Sequence, residues 1–189
     1  MLKLSLPVIL ASKSPRRHEL LNLMGLDFSV ELKDVDESFP AELSPAEIAV
    51  YIAEKKASAF EGNPNAIVIT ADTIVAINGE ILGKPSDHAE ARSMLNKLSG
   101  STHEVFTGVS INHKGKLSSF YDRTEVFCRK INHDEIEHYI NNFQPFDKAG
   151  SYGIQDWFGL TVVEKIVGSY TNVMGLPTEK LYQYLLKIS

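Results

Sequence analysis

Residues Ile67-Val68-Ile69-Thr70 run without alternation into Ala71-Asp72-Thr73, and a second apolar run, Ile74-Val75-Ala76-Ile77, follows at once. A strand that is apolar at consecutive positions is buried on both faces of its sheet. The run therefore points to an α/β arrangement with cover on each side. Asp72 reads as the carboxylate ending this strand at the sheet rim, where open α/β sheets hold their ligands. The plainer reading is that Asp72 simply takes a turn there.

The chain of 189 residues is long enough for one substantial core or two lobes, and 1–189 reads as a single domain. Its formal net charge of -5 argues against general affinity for nucleic acid or anionic membrane. Any site for a phosphorylated ligand must then be a local basic pocket on an acidic body. Cys128 is the only cysteine, which excludes an intrachain disulfide, a thiolate zinc site and a two-cysteine redox motif. This usage suits a reducing cytoplasm. Lys3 precedes a short apolar run, as in a signal peptide, but Pro7 interrupts it, and residues 6–11 read as a buried first strand. No segment approaches a membrane span. The histidines are dispersed, and none is assigned a catalytic role.

After that strand, Ser12-Lys13-Ser14-Pro15-Arg16-Arg17 opens a helix, with Ser14 as N-cap and Pro15 at the first helical position. Two hydroxyls, free backbone N–H groups and two arginines then meet at one helix N-terminus, which suits a phosphate. The plain alternative is a capped helix with solvated arginines. A third reading, minor-groove binding by Ser-Pro-Arg-Arg, fits poorly with a single copy in an acidic chain.

Ser44-Pro45-Ala46-Glu47 is a capping box opening a helix that carries Lys55 and Lys56, and Asp87-His88-Ala89-Glu90 is another. Asn78-Gly79 marks a hairpin, followed by Lys84 on the stiff Gly83-Lys84-Pro85 loop. Residues 103–111 read as a strand broken near Thr107-Gly108, and residues 117–131 as a long strand. Residues 147–155 read as a turn-rich surface loop or as a glycine-spaced loop whose backbone approaches a ligand, 160–167 as strand, 168–172 as loop, and a last helix follows Pro177.

Together these motifs resemble the Maf family of nucleotide pyrophosphatases. The matching stretches include Leu10-Ala11-Ser12-Lys13-Ser14-Pro15-Arg16-Arg17, Asp36-Glu37, Lys56-Ala57, Ala71-Asp72-Thr73, Thr107-Gly108-Val109, Asp147 to Gln155 and Gly175-Leu176-Pro177, in the family's order along nearly the whole chain. The resemblance implies an α/β fold in which a long mixed sheet and flanking helices form two lobes around a cleft, related to inosine triphosphate pyrophosphatases. It implies hydrolysis of a nucleoside triphosphate to the monophosphate and pyrophosphate, with Mg2+, Mn2+ or Co2+ as cofactor. In that scheme Asp72 is the proton acceptor, Ser12, Ser14, Arg16, Arg17, Lys56 and Lys84 contact phosphates, and Glu37 with Asp72 lies near the metal. Arg16, Thr73 and Gln155 resemble the specificity set of members acting on dTTP and UTP. The family also implies a homodimer and, through its association with inhibited septum formation, a cell-division partner as the rival reading. A purine-directed housecleaning pyrophosphatase is the third.

Overall fold

The computed structural model describes residues 2–189. Seven strands form one mixed sheet: β1 (Val8–Leu10), β2 (Phe28–Val30), β3 (Ile67–Ile77), β4 (Glu80–Leu82), β5 (Thr102–His113), β6 (Lys116–Cys128) and β7 (Val163–Val167). Their order is β2-β1-β3-β5-β6-β7, with β4 on the same edge of β3 as β1. β1 is parallel to β2 and β3, and the remaining pairs are antiparallel.

The helices are α1 (Pro15–Leu23), α2 (Pro45–Ser58), α3 (His88–Leu98), α4 (His133–Phe143), α5 (Trp157–Thr161), α6 (Tyr170–Met174) and α7 (Thr178–Leu186). The pleat of β3 divides them. Its odd-numbered residues Ile67, Ile69, Ala71, Val75 and Ile77 join the main core with Leu21 of α1, Leu95 of α3, Ile140 of α4 and Leu181 of α7. Its even-numbered Ile74 and Ala76 pack against Ile48, Ala49 and Ile52 of α2, while Val68 meets Phe60. Both faces are covered, as the apolar run requires.

Asp72 does not end its strand. β3 continues through it to Ile77, because β5 pairs with the whole of residues 67–76 along the other edge. What ends is β1, whose ladder on β3 stops at Ile69, where the Ala11 N–H donates to the Ile69 carbonyl (2.9 Å), before the chain turns into α1. β4 resumes pairing on that edge only at Val75. Among the described residues, 70–74 therefore have no strand partner on one edge, and Asp72 sits in the middle of that opening.

Five other expectations change. β5 is unbroken at Thr107-Gly108, because the glycine serves helix packing rather than a turn. Residues 149–155 are not a surface loop: Tyr152 and Ile154 are buried in the main core. Residues 160–161 close α5 before β7 begins, and β6 ends at Cys128. The stretch after Gly168 winds into α6, capped by the Ser169 hydroxyl. The Ser44–Glu47 capping box is present as read.

Candidate active site

The opening in the sheet edge leads into a cleft of about 440 Å³. All ten residues singled out from the sequence line it: Ser12, Ser14, Arg16, Arg17, Glu37, Lys56, Asp72, Thr73, Lys84 and Gln155. Seven basic and four acidic side chains form its walls, a local excess of three positive charges on a chain of net charge -5. This is the basic pocket on an acidic body that the composition demanded.

Successive residues of a strand point to opposite faces. At the unpaired stretch of β3 this sends Asp72 toward α2 and Thr73 toward α1. On the α2 face, Lys56 Nζ donates to Asp72 Oδ1 at 2.8 Å and lies 2.9 Å from Glu37 Oε1. Burial opposes ionisation of Glu37, but Lys56, Lys84 and Arg17 outweigh it and hold the carboxyl below its usual range. Thr70 supports this side by donating to the Ala53 carbonyl at 2.7 Å, which ties α2 to the sheet one turn before Lys56.

On the α1 face, Arg17 is only partly exposed and is held by three acceptors. Its Nε donates to the Gly175 carbonyl (2.7 Å), Nη1 to Ser12 Oγ (3.2 Å) and Nη2 to Thr73 Oγ1 (3.0 Å). Burial pushes its pKa down, against the pull of nearby Asp72. The cost of stripping water from this cation has thus been met on folding, and an incoming anion finds it already oriented. Ser14 stands at the N-cap of α1 but makes no side-chain capping bond; its N–H donates instead to Ser12 Oγ at 3.2 Å.

Sequence reasoning missed the acidic side of this wall. Arg16 pairs with Asp147 (3.2 Å), which also holds Lys148 (2.7 Å), and Lys148 lies 3.6 Å from Asp156. Burial opposes ionisation of Asp147, yet Lys148 and Arg16 keep its pKa low. The available signal was the Asp147-Lys148 doublet beside two glycines, which also reads as an ordinary solvated turn.

Gln155 faces the cleft with its Oε1 buried and unpartnered. Its loop is fixed from two sides. The Gly150 N–H donates to the Gly83 carbonyl (3.0 Å), next to Lys84, and His103 Nε2 bonds Tyr152 Oη at 2.7 Å.

The family model described as Maf-like protein matches residues 7–188. The chain belongs to the Maf-like family. A Flavobacterium psychrophilum protein named dTTP/UTP pyrophosphatase is 51% identical over 181 residues, spanning 95% of this chain and 93% of its own. A Phocaeicola vulgatus protein of the same name is 48% identical over 184 residues, with 96% and 95% covered. Among solved structures, the Staphylococcus aureus Ham1 protein matches at 19% identity and a TM-score of 0.45, over 65% of this chain and 71% of that one.

The buried His103 of this Maf-like chain carries a pH prediction. Burial pushes its pKa from 6.5 down to about 4. The unfolded chain then takes up the proton first, so His103's contribution is complete above about pH 6.5 and is lost as pH falls toward about 4. By pH 5 that loss is about 2 kcal/mol. Denaturant titrations at neutral pH and at about pH 5 should show His103→Gln losing less stability than the wild type by this amount. Equal losses would remove His103 as the titrating group.

Proposed function

We infer that the cleft hydrolyses a pyrimidine nucleoside triphosphate, dTTP or UTP, to the monophosphate and pyrophosphate. The observation that carries this reading is the split of Asp72 and Thr73 to opposite faces at the unpaired edge of β3. A ligand crossing that edge meets a carboxylate–lysine pair on one side and an arginine, a hydroxyl and a free amide oxygen on the other. The first set suits phosphoryl chemistry; in the second, the arginine suits a phosphate while the hydroxyl and the amide suit a base edge. The names borne by relatives at 51% and 48% identity support the same substrates.

A triphosphate brings about four negative charges, so positioning and charge neutralisation dominate its hydrolysis. Arg16, Arg17 and Lys84 hold the phosphates, with Ser12 and Ser14 at the helix N-terminus between them. Asp72 orients a water and accepts its proton as the oxygen attacks the α-phosphorus. The bond to the bridging oxygen then breaks, and pyrophosphate leaves with the electron pair. Gln155 offers the base edge an amide from the same wall, a group that can both donate and accept.

The residues also fit a divalent cation. Glu37 and Asp72 already converge on one positive centre, the Lys56 ammonium. No cluster of three or more metal-binding side chains occurs among the described residues. Mg2+ is commonly held by one or two carboxylates together with substrate phosphates, and Glu37 and Asp72 would hold it in that way. When bound, it would neutralise phosphate charge and lower the pKa of a bound water.

The deciding experiment is a panel of UTP, dTTP, CTP and GTP with Mg2+, Mn2+ or Co2+, detecting pyrophosphate separately from orthophosphate. Pyrophosphate from UTP and dTTP is expected. Orthophosphate as the sole product would overturn the proposed bond cleavage, and a preference for GTP would overturn the proposed base.

A further inference from the structure

Thr73 and Thr107 face each other across β3 and β5, with their hydroxyl oxygens 3.0 Å apart. Geometry at that pair leaves either oxygen free to donate, but the neighbours decide. Thr107 Oγ1 lies 2.9 Å from the backbone carbonyl of Asn172, which can only accept. A hydroxyl has a single proton. Thr107 spends it on Asn172, so Thr73 must donate to Thr107. In the reverse orientation the Thr107 and Asn172 oxygens would stand 2.9 Å apart with no proton between them. Arg17 Nη2 meanwhile donates to Thr73 Oγ1. The chain of bonds thus runs one way, from Arg17 through Thr73 and Thr107 to the Asn172 carbonyl.

The end of this chain is well anchored. Asn172 is fully buried, and its Nδ2 donates to the Val105 carbonyl (3.0 Å) and to Thr124 Oγ1 (2.9 Å). Thr107 is itself fully buried and does not line the cleft, whereas Thr73 does. The consequence falls on Thr73. Its proton points into the protein, and it meets the cleft with a lone pair alone.

We propose that Thr107 is a specificity-positioning residue: by accepting the Thr73 proton, it makes Thr73 an acceptor-only group in the base subsite. This deepens the pyrimidine triphosphate reading and rests on it. A uracil or thymine ring has an N3–H to give to such an acceptor, whereas cytosine has an unprotonated N3 that an acceptor repels. Gln155 cannot set this distinction alone, because an amide offers both a donor and an acceptor.

The test is the UTP-to-CTP ratio of kcat/KM in Thr107→Val. Valine keeps the shape and removes the acceptor, so the Thr73 proton turns into the cleft. The Asn172 carbonyl stays bonded to the Gly175 N–H at 3.0 Å, which favours folding of the variant. The ratio should fall roughly tenfold from the wild-type value, with the loss on UTP appearing in KM more than in kcat. Thr107→Ser, which restores the hydroxyl, should restore the ratio, whereas a merely structural role would track thermal stability instead. In a Thr73→Val background, adding Thr107→Val should not change the ratio further, because the route through Thr73 is gone. If valine prevents folding, Thr107→Cys replaces it, since sulfur is a weak acceptor. A folded Thr107→Val protein with the wild-type ratio overturns the proposal while leaving the pyrophosphatase reading intact. A wild type that releases no pyrophosphate from UTP overturns both.

Discussion

Asp72→Asn is expected to lower kcat on UTP by roughly 10²–10⁴-fold, the range for loss of a general base. The substitution keeps size and shape and removes only the capacity to take a proton. Lys56 keeps Glu37 as its partner at 2.9 Å, so the α2 face should hold together. Substrate affinity should persist or rise, because one negative charge leaves a site that must receive about four. Steady-state pyrophosphate release measures the first effect, and calorimetric titration with UTP measures the second. A kcat within a few-fold of the wild type would take Asp72 out of the chemistry. Lost binding with intact kcat would make it a ground-state contact, since kcat and KM separate those roles.

The parts of this site written locally were legible before the fold was known. Ser12, Ser14, Arg16 and Arg17 follow a short apolar strand and open a proline-started helix, so their common location follows from chain continuity. Lys84 behind an Asn-Gly hairpin is local in the same sense. The position of Asp72 was legible only as a rim carboxylate. Whether a strand ends depends on its neighbours, and here β1 stops while β3 runs on. The Arg17–Thr73–Thr107–Asn172 chain joins residues up to 155 positions apart, and no periodicity signals such a link. Asp147 and Lys148 carry no such local signal, because a charged doublet beside glycines is ordinary loop composition. Only the docking of that loop on Gly83 turns it into a wall of the cleft.

Gly108 shows the same limit with the larger structural consequence, since the turn suggested by its sequence context is absent. It pairs directly with Asp72 across β3 and β5, beneath α2. A Cβ built there would lie 2.3 Å from the Ala49 carbonyl carbon and oxygen and 2.5 Å from the Val50 nitrogen. All three are backbone atoms, so no side-chain rotation relieves the clash, and α2 itself must lift from the sheet. Gly108→Ala should therefore cost about 1–3 kcal/mol as an overpacked site, which lowers Tm by roughly 2–12 °C for a chain of this size. Gly108→Val should cost more. Lifting α2 also carries Lys56 away from Asp72, so kcat should fall along with stability, even at temperatures where the variant is fully folded. Gly62→Ala is the control, because a Cβ there meets nothing within 4 Å. Differential scanning calorimetry and UTP turnover on the two variants separate the outcomes. If Gly108→Ala matches Gly62→Ala in both Tm and kcat, then backbone contact at Gly108 does not hold α2, and the placement of Lys56 against Asp72 must rest on the Thr70–Ala53 hydrogen bond and the alanine-lined face of the helix.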